Sequence, residues 1–301
     1  MLLSTLLAVL NTGTIPVSDR VHPDPEVRRV AHDSRTVEPG DLFCCITGAH
    51  HDGHDHVEQA VEAGAVAVLA EHPVQSDAPV VVVESVRQTM PLLAAAVVGD
   101  PSHDLRVVGV TGTNGKTTTT HFLAAIFASH GWQCEVIGTV SGVRTTPEAT
   151  DLQRRLAAIR DAGEHAVAME VSSHALAQQR VDGVDFAATG FTNLGQDHLD
   201  YHGSVAGYFE AKASLFSADR TRLAVINRDD RQGQQLSESR DNERDVDNFR
   251  GQPEQTTPTP PSGRGKFFPM LSLRFVHDIL FWQRLRRRFR TALNRERVIF
   301  R

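Results

Sequence analysis

The sequence predicts an α/β protein of two successive units, the second built on a mostly parallel sheet that is incomplete at its C-terminal end. Three observations predict it. Short apolar runs such as Val80–Val83, Arg106–Val110 and Ala166–Val171 read as strands buried on both faces. Segments with helical spacing separate them, as parallel strand pairs require. One strand runs directly into a glycine loop and a helix start, the kind of junction beside which open α/β sheets bind ligands.

Taken in order, Met1–Leu10 is apolar but lacks a basic leader segment and a small-residue cleavage site, so it reads as an amphipathic opening helix. The turn Pro39-Gly40-Asp41 precedes a strand over Leu42–Ile46. Val57–Ala63 follows as a helix, then strands over Gly64–Leu69 and Val80–Val83, then a helix over Met90–Val98 that Gly99-Asp100-Pro101 terminates. Asp100-Pro101-Ser102 reads as a junction, giving a first domain over 1–100 and a second over 101–233. Within the second, strands are expected at Arg106–Val110, Cys134–Ile137, Ala166–Val171, Phe186–Leu194 and Leu223–Asn227, and helices at Thr117–His130, Leu152–Ala162 and Val205–Phe216. Residues 235–265 hardly contain an apolar side chain and have the composition of a linker, so 234–301 are set apart as a tail.

Charge is divided unevenly along the 301 residues. Residues 264–301 hold 11 Lys+Arg against 2 Asp+Glu, near +9, while the remainder, with 20 against 35, is near −15. A basic end on an acidic body suits nucleic acid, an anionic membrane or simple solvation. Charge runs are usually solvated, so solvation is preferred and neither nucleic acid nor membrane is expected as a partner. Residues 267–282 are apolar-rich but interrupted by Pro269, Arg274, His277 and Asp278, and fall short of the ~20 residues a spanning helix needs. The three cysteines, Cys44, Cys45 and Cys134, give no metal-ligand spacing and no relaxed disulfide, which fits a reducing cytoplasm.

The strongest chemical signal is Val107-Val108-Gly109-Val110-Thr111-Gly112-Thr113-Asn114-Gly115-Lys116-Thr117-Thr118. Gly112 and Gly115 let backbone N–H groups approach phosphate oxygens, the helix start adds unpaired donors, and Lys116 supplies charge. Thr117 is placed to offer its hydroxyl to Mg²⁺. The GxxxxGK[ST] spacing would require glycine at position 110, where valine stands, so the loop is a variant.

TGTNGKTTT resembles the ATP loop of the Mur ligase family. Thr145-Thr146-Pro147 with Asp151-Leu152-Gln153, MEVSSHALAQQRV at 169–181, FTNLGQDHLDYHGSVAGYFEAKASLF at 191–216 and HDSRTVEPGDLFCCITGAHHDGHDH at 32–56 extend the resemblance over roughly 1–233. It implies a UDP-binding α/β domain followed by a P-loop-type ATPase domain, in a monomer. The cofactors implied are ATP and Mg²⁺, with UDP-N-acetylmuramoyl-L-alanyl-D-glutamate and a diamino acid, meso-diaminopimelate first among them, as substrates. By resemblance, Gly112, Thr113, Asn114, Gly115, Lys116, Thr117 and Thr118 hold ATP. Thr117 and Glu170 hold one Mg²⁺, and His198 with a carbamylated Lys212 attends a second. Thr145, Thr146, Ser172, Gln178 and Arg180 bind the muramoyl dipeptide, and Ser34 with Ala49, His50 and His51 the uridine diphosphate. His32 stands where the family commonly has an apolar residue. The implied reaction phosphorylates the glutamyl carboxylate and joins the resulting acyl phosphate to an amine, with Lys116, Glu170, His198 and Lys212 as the groups nearest the chemistry.

The family's central domain is expected to continue past Asn227-Arg228-Asp229-Asp230 and a third domain to follow, and neither is legible. Asp247-Asn248-Phe249-Arg250 differs at the proline of the family's Asp-Asn-Pro-Arg motif and is read as coincidence. Three readings stand: a complete ligase, a catalytically incomplete fragment truncated or frameshifted after about residue 233, and a non-catalytic nucleotide or UDP-sugar binder with a basic tail. The fragment is preferred. Orientation of the incoming amine is worth about 7–11 kcal/mol, so the fragment is not expected to turn over at an ordinary rate. Folylpolyglutamate synthetase is the alternative among intact ligases.

Overall fold

The structure, a computed structural model, describes residues 1–10, 24–48, 51–141 and 144–239. Ala49, His50, Asp247–Arg250 and the basic tail lie outside the described residues.

The opening helix α1 (Leu3–Leu7) buries Leu3, Leu6 and Leu7, the i, i+3, i+4 stripe of a single apolar face. Five residues do not sustain a helix in water, so packing holds it. Strand β1 (Arg29–Ala31), strand β2 (Asp41–Cys44), helix α2 (Val57–Glu62), strand β3 (Ala67–Ala70), strand β4 (Val80–Val82) and helix α3 (Val86–Val97) complete the N-terminal region. The four strands pair in parallel in the order β1-β2-β3-β4. Alternate residues serve opposite layers. Leu42, Cys44, Ala67 and Leu69 join α1 and α3 in one core, while Phe43, Cys45, Val68 and Ala70 join α2 in another.

The second sheet contains β5 (Arg106–Thr111), β6 (Cys134–Ile137), β7 (Ala166–Glu170), β8 (Ala188–Phe191) and β9 (Ala224–Ile226). Its helices are α4 (Lys116–Ser129), α5 (Ala149–Asp161), α6 (Ser173–Ala177), α7 (Leu199–His202) and α8 (Val205–Ala213). All its pairings are parallel, in the order β6-β7-β5-β8-β9, with β5 in the middle. Helix α5 joins the two regions: Ala149 belongs to the N-terminal core, Thr150 Oγ1 lies 2.7 Å from His32 Nδ1, and Arg160 donates to Val98 O at 3.0 Å.

The sequence reading anticipated the parallel α/β class and most elements. It missed β1, α6 and α7, all three to five residues long, and it ran β8 on to Leu194. The strand stops at Phe191 because Thr192 and Asn193 turn their side chains onto the glycine loop instead. No helix among the described residues is long and apolar enough to cross a membrane.

Candidate active site

Strand β5 ends at Thr111 and the chain turns through Gly112 (φ +143°) and Gly115 (φ +87°) into α4. A Cβ on Gly112 would lie 1.9 Å from Thr192 Oγ1, so glycine is required there by space as well as by backbone angle. No side chain caps the start of α4, which leaves its first N–H groups without helical acceptors. The loop is braced from the end of β8. Asn193 accepts from Asn114 N and donates to Asn114 O, both at 3.1 Å, Thr192 Oγ1 donates to the same carbonyl at 2.7 Å, and Gly195 N donates to Thr113 Oγ1 at 2.8 Å.

Two lysines share one carbonyl beneath this loop. Lys116 Nζ donates to Gly112 O at 2.8 Å and to Thr113 O at 3.0 Å, and Lys212 Nζ donates to Gly112 O at 2.9 Å. Lys212, on α8, is 1% exposed, with its ammonium 4.5 Å from the centre of the Tyr208 ring. Burial and then the neighbouring Lys116 pull its pKa down to about 7. Lys116 is also lowered by burial, an effect that Glu170 and Asp197 oppose.

Glu170 ends β7 and is 1% exposed. A carboxylate buried so deeply needs partners. Thr117 Oγ1 donates to its Oε2 at 3.0 Å and Thr139 N to its Oε1 at 2.9 Å. Thr111 Oγ1, buried at the loop entrance, has no hydrogen-bond partner.

Next to Glu170 lies a polar strip. Thr146 Oγ1 donates to Glu170 O at 2.9 Å and accepts from Ser172 N at 3.0 Å. Arg180 donates to Thr146 O at 3.2 Å and to Gln178 Oε1 at 2.5 Å, pairs with Glu148 at 3.0 Å, and keeps a buried Nε without a partner. Gln178 Nε2 donates to Tyr201 OH at 3.1 Å, and Thr145 Oγ1 lies 3.0 Å from Thr139 Oγ1. His198, left-handed at φ +53°, sets its ring edge-on to His174 at 4.7 Å and to Tyr208 at 6.2 Å. His198 and Lys212 therefore flank the same phenol ring.

The structure thus brings Gly112–Thr118, Glu170, Lys212, Thr145, Thr146, Ser172, Gln178 and Arg180 to the C-terminal ends of β5 and β7 and the helices beside them, with His198 at the margin. It does not bring the uridine candidates there. Ser34 donates to Gln59 Oε1 at 2.8 Å in the N-terminal region, and His51 is exposed. Beside Ser34 is an open depression of about 470 Å³ lined by Arg29, His32, Asp33, Arg35, Asp151 and Arg154 among others. Sequence reasoning missed Thr139, Asn193 and Tyr208; Thr139 lies two residues past the end of β6, so the strand-end rule could have found it.

Phosphate and Mg²⁺ fit this donor set. Open helix N–H groups, the unpaired Thr111 hydroxyl and two ammonium groups suit phosphate oxygens. No cluster of three or more His, Cys, Asp or Glu suited to a metal occurs among the described residues. A cation at Thr117 and Glu170 would take its other ligands from phosphate and water, as Mg²⁺ does.

Comparison with known proteins gives a consistent result. Residues 26–102 match the Mur ligase family catalytic domain and residues 110–249 the Mur ligase middle domain. A curated relative from Geobacillus thermodenitrificans, UDP-N-acetylmuramoyl-L-alanyl-D-glutamate–2,6-diaminopimelate ligase, is 48% identical over 223 residues, covering 69% of this chain and 46% of the relative. The protein of that name from Streptomyces avermitilis is 45% identical over 232 residues, covering 71% of this chain and 45% of the relative. The chain spans about half the length of the curated relatives it matches. A solved structure of a ligase of the same name superposes with a TM-score of 0.67 at 33% identity, over 74% of this chain and 48% of the other. MurF from Acinetobacter baumannii shares the fold, with a TM-score of 0.56 at 24% identity over 73% of this chain and 48% of the other.

Proposed function

Since the chain belongs to the Mur ligase family, we propose that it carries the nucleotide-binding and carboxylate-activating part of an ATP-dependent ligase that joins 2,6-diaminopimelate to UDP-N-acetylmuramoyl-L-alanyl-D-glutamate, in the cytoplasm, for peptidoglycan synthesis. The observation that carries the reading is the convergence of Lys116, Lys212, Thr117 and Glu170 on one glycine loop, beside the Thr145–Thr146 strip. The names of the curated relatives supply the substrates. Neither relative bears the folylpolyglutamate name, so that alternative gains no support from them.

In this reading residues 1–100 bind the uridine diphosphate end through Ser34 and the segment 49–51, and residues 101–233 bind ATP. Bound ATP supplies the γ-phosphoryl group and Mg²⁺ neutralises its charge. The chain's own residues orient and balance. Loop amides and Lys116 hold the phosphates, Thr117 and Glu170 hold the cation, and Arg180, Gln178, Ser172 and Thr146 hold the glutamyl end so that one carboxylate oxygen faces the γ-phosphorus. That oxygen forms the new P–O bond as ADP leaves. The amine then attacks the acyl carbon, expels phosphate and loses a proton. Lys212, with its pKa pulled down to about 7, is partly a free amine near neutral pH, where an ordinary lysine is almost wholly charged. Carbamylated by CO₂ with loss of a proton, it would become an anionic oxygen donor that, with His198, would hold a second Mg²⁺ to neutralise phosphate charge.

Calorimetry of ATP with Mg²⁺ tests the nucleotide half. Lys116→Ala removes a charge-assisted contact worth about 1.5–3 kcal/mol, so affinity is expected to fall roughly tenfold to a hundredfold. Equal affinity in the two proteins refutes the reading.

A further inference from the structure

We propose that Thr139 is a positioning residue whose hydroxyl couples the Glu170 end of the site to the acceptor-facing Thr145, so that binding of a nucleotide with its cation and binding of the acceptor strengthen each other. The inference rests on the ligase reading above.

Thr139 sits at a crossing of three bonds. Its N–H donates to Glu170 Oε1 at 2.9 Å, its hydroxyl donates to Glu170 Oε2 at 3.4 Å, and the same hydroxyl lies 3.0 Å from Thr145 Oγ1. Thr117, on the first turn of the glycine-loop helix, donates to Glu170 Oε2 at 3.0 Å. A relay of Thr117, Glu170, Thr139 and Thr145 thus runs from the phosphate loop to the acceptor strip. The turn that carries it is fixed, since Ser141 Oγ accepts from Gly138 N at 2.9 Å and donates to Gly138 O at 3.1 Å. Gly138 is itself obligatory, because a Cβ there would lie 2.2 Å from Glu170 Oε1.

The coupling follows from counting hydrogens. A threonine hydroxyl has one proton to give. While Thr139 gives its proton to Glu170, it can only accept from Thr145, and the Thr145 proton is committed inward. A cation on Glu170 Oε2 displaces hydroxyl donors from that oxygen. Thr139 then turns its proton to Thr145 Oγ1, and the Thr145 proton is released for a ligand oxygen. The 3.4 Å bond is the longest in the relay and so the one most readily given up. Thr146 ties the same strip to the Glu170 main-chain carbonyl at 2.9 Å, which keeps the two ends in register as the protons turn.

The test measures binding of UDP-N-acetylmuramoyl-L-alanyl-D-glutamate by calorimetry, with and without saturating ADP and Mg²⁺, in the full chain and in Thr139→Val, Thr139→Ala and Thr139→Ser. In the unaltered chain ADP with Mg²⁺ is expected to tighten the acceptor by about fivefold, and the acceptor to tighten ADP with Mg²⁺ by the same factor, as linkage demands. Val and Ala keep the N–H bond to Glu170 but remove the hydroxyl, so both ligands still bind and the factor falls to near one. Ser restores it. A folded Val or Ala variant that keeps the full factor overturns the proposal, as does a factor of one in the unaltered chain with both ligands bound. Failure of the unaltered chain to bind either ligand overturns the ligase reading, and this inference with it.

Discussion

In the N-terminal region the buried Ser34 and Asp41 are each completed by a neighbour: Ser34 donates to Gln59 at 2.8 Å, and Asp41 receives two bonds from Arg29. The central sheet behaves differently at the ends of β5 and β7. Lys212 and Glu170 are each 1% exposed, two lysines crowd one carbonyl, and Thr111 keeps a hydroxyl without a partner. Burying such groups costs stability that packing elsewhere must offset. The first region is arranged for stability, and the second accepts a stability penalty to keep charge and open donors at one place.

Three substitutions would break or sharpen that contrast. The largest effect is expected from Gly112→Ala, which combines a left-handed backbone with a 1.9 Å approach to Thr192 Oγ1. It should cost about 3 kcal/mol or more, read by chemical denaturation, and a loss below 1 kcal/mol would show that the loop yields easily. Lys212 comes second. Its folded pKa of about 7 lies below the roughly 10.4 of an unfolded lysine. Between those values the unfolded chain binds more protons, so stability should rise with pH. In bicarbonate-free buffer Lys212→Met is expected to add on the order of 2 kcal/mol at pH 7 and to flatten that rise. A destabilised Met variant would mean that the buried ammonium is a net asset, against the contrast. Ser34→Ala should be the mildest, at about 1 kcal/mol. A loss there matching Gly112→Ala would erase the distinction between the sheets.

What could be read in advance follows the range of the contacts. The apolar runs of β5 and β7 and the Gly-Lys-Thr step are local patterns, so the α/β class and the glycine loop were legible from short windows of sequence. Strand β1 was not, since Arg28-Arg29-Val30-Ala31 offers two apolar residues after two charges. The fourth-strand error has a similar origin: hydropathy does not reveal that Thr192 and Asn193 leave the sheet to hold Asn114, 78 and 79 residues earlier. Glu170 stood out as a charge ending an apolar run, whereas Thr139 is an ordinary threonine until Glu170 and Thr145 are placed beside it.

The position of β5 at the middle of its sheet also fixes an order of events. Arg106 aligns with Ala166 and Val108 with Ala188, so the first strand made finds its neighbours only after long stretches of chain have followed. Pairings so distant in sequence slow folding. The glycine loop emerges from synthesis long before Asn193 exists to clasp it, so the bonds that brace it form only once β8 has docked. Acquisition of nucleotide affinity during refolding would therefore mark the arrival of β8 rather than the formation of the loop's own strand and helix, and a fluorescent nucleotide would time that late step.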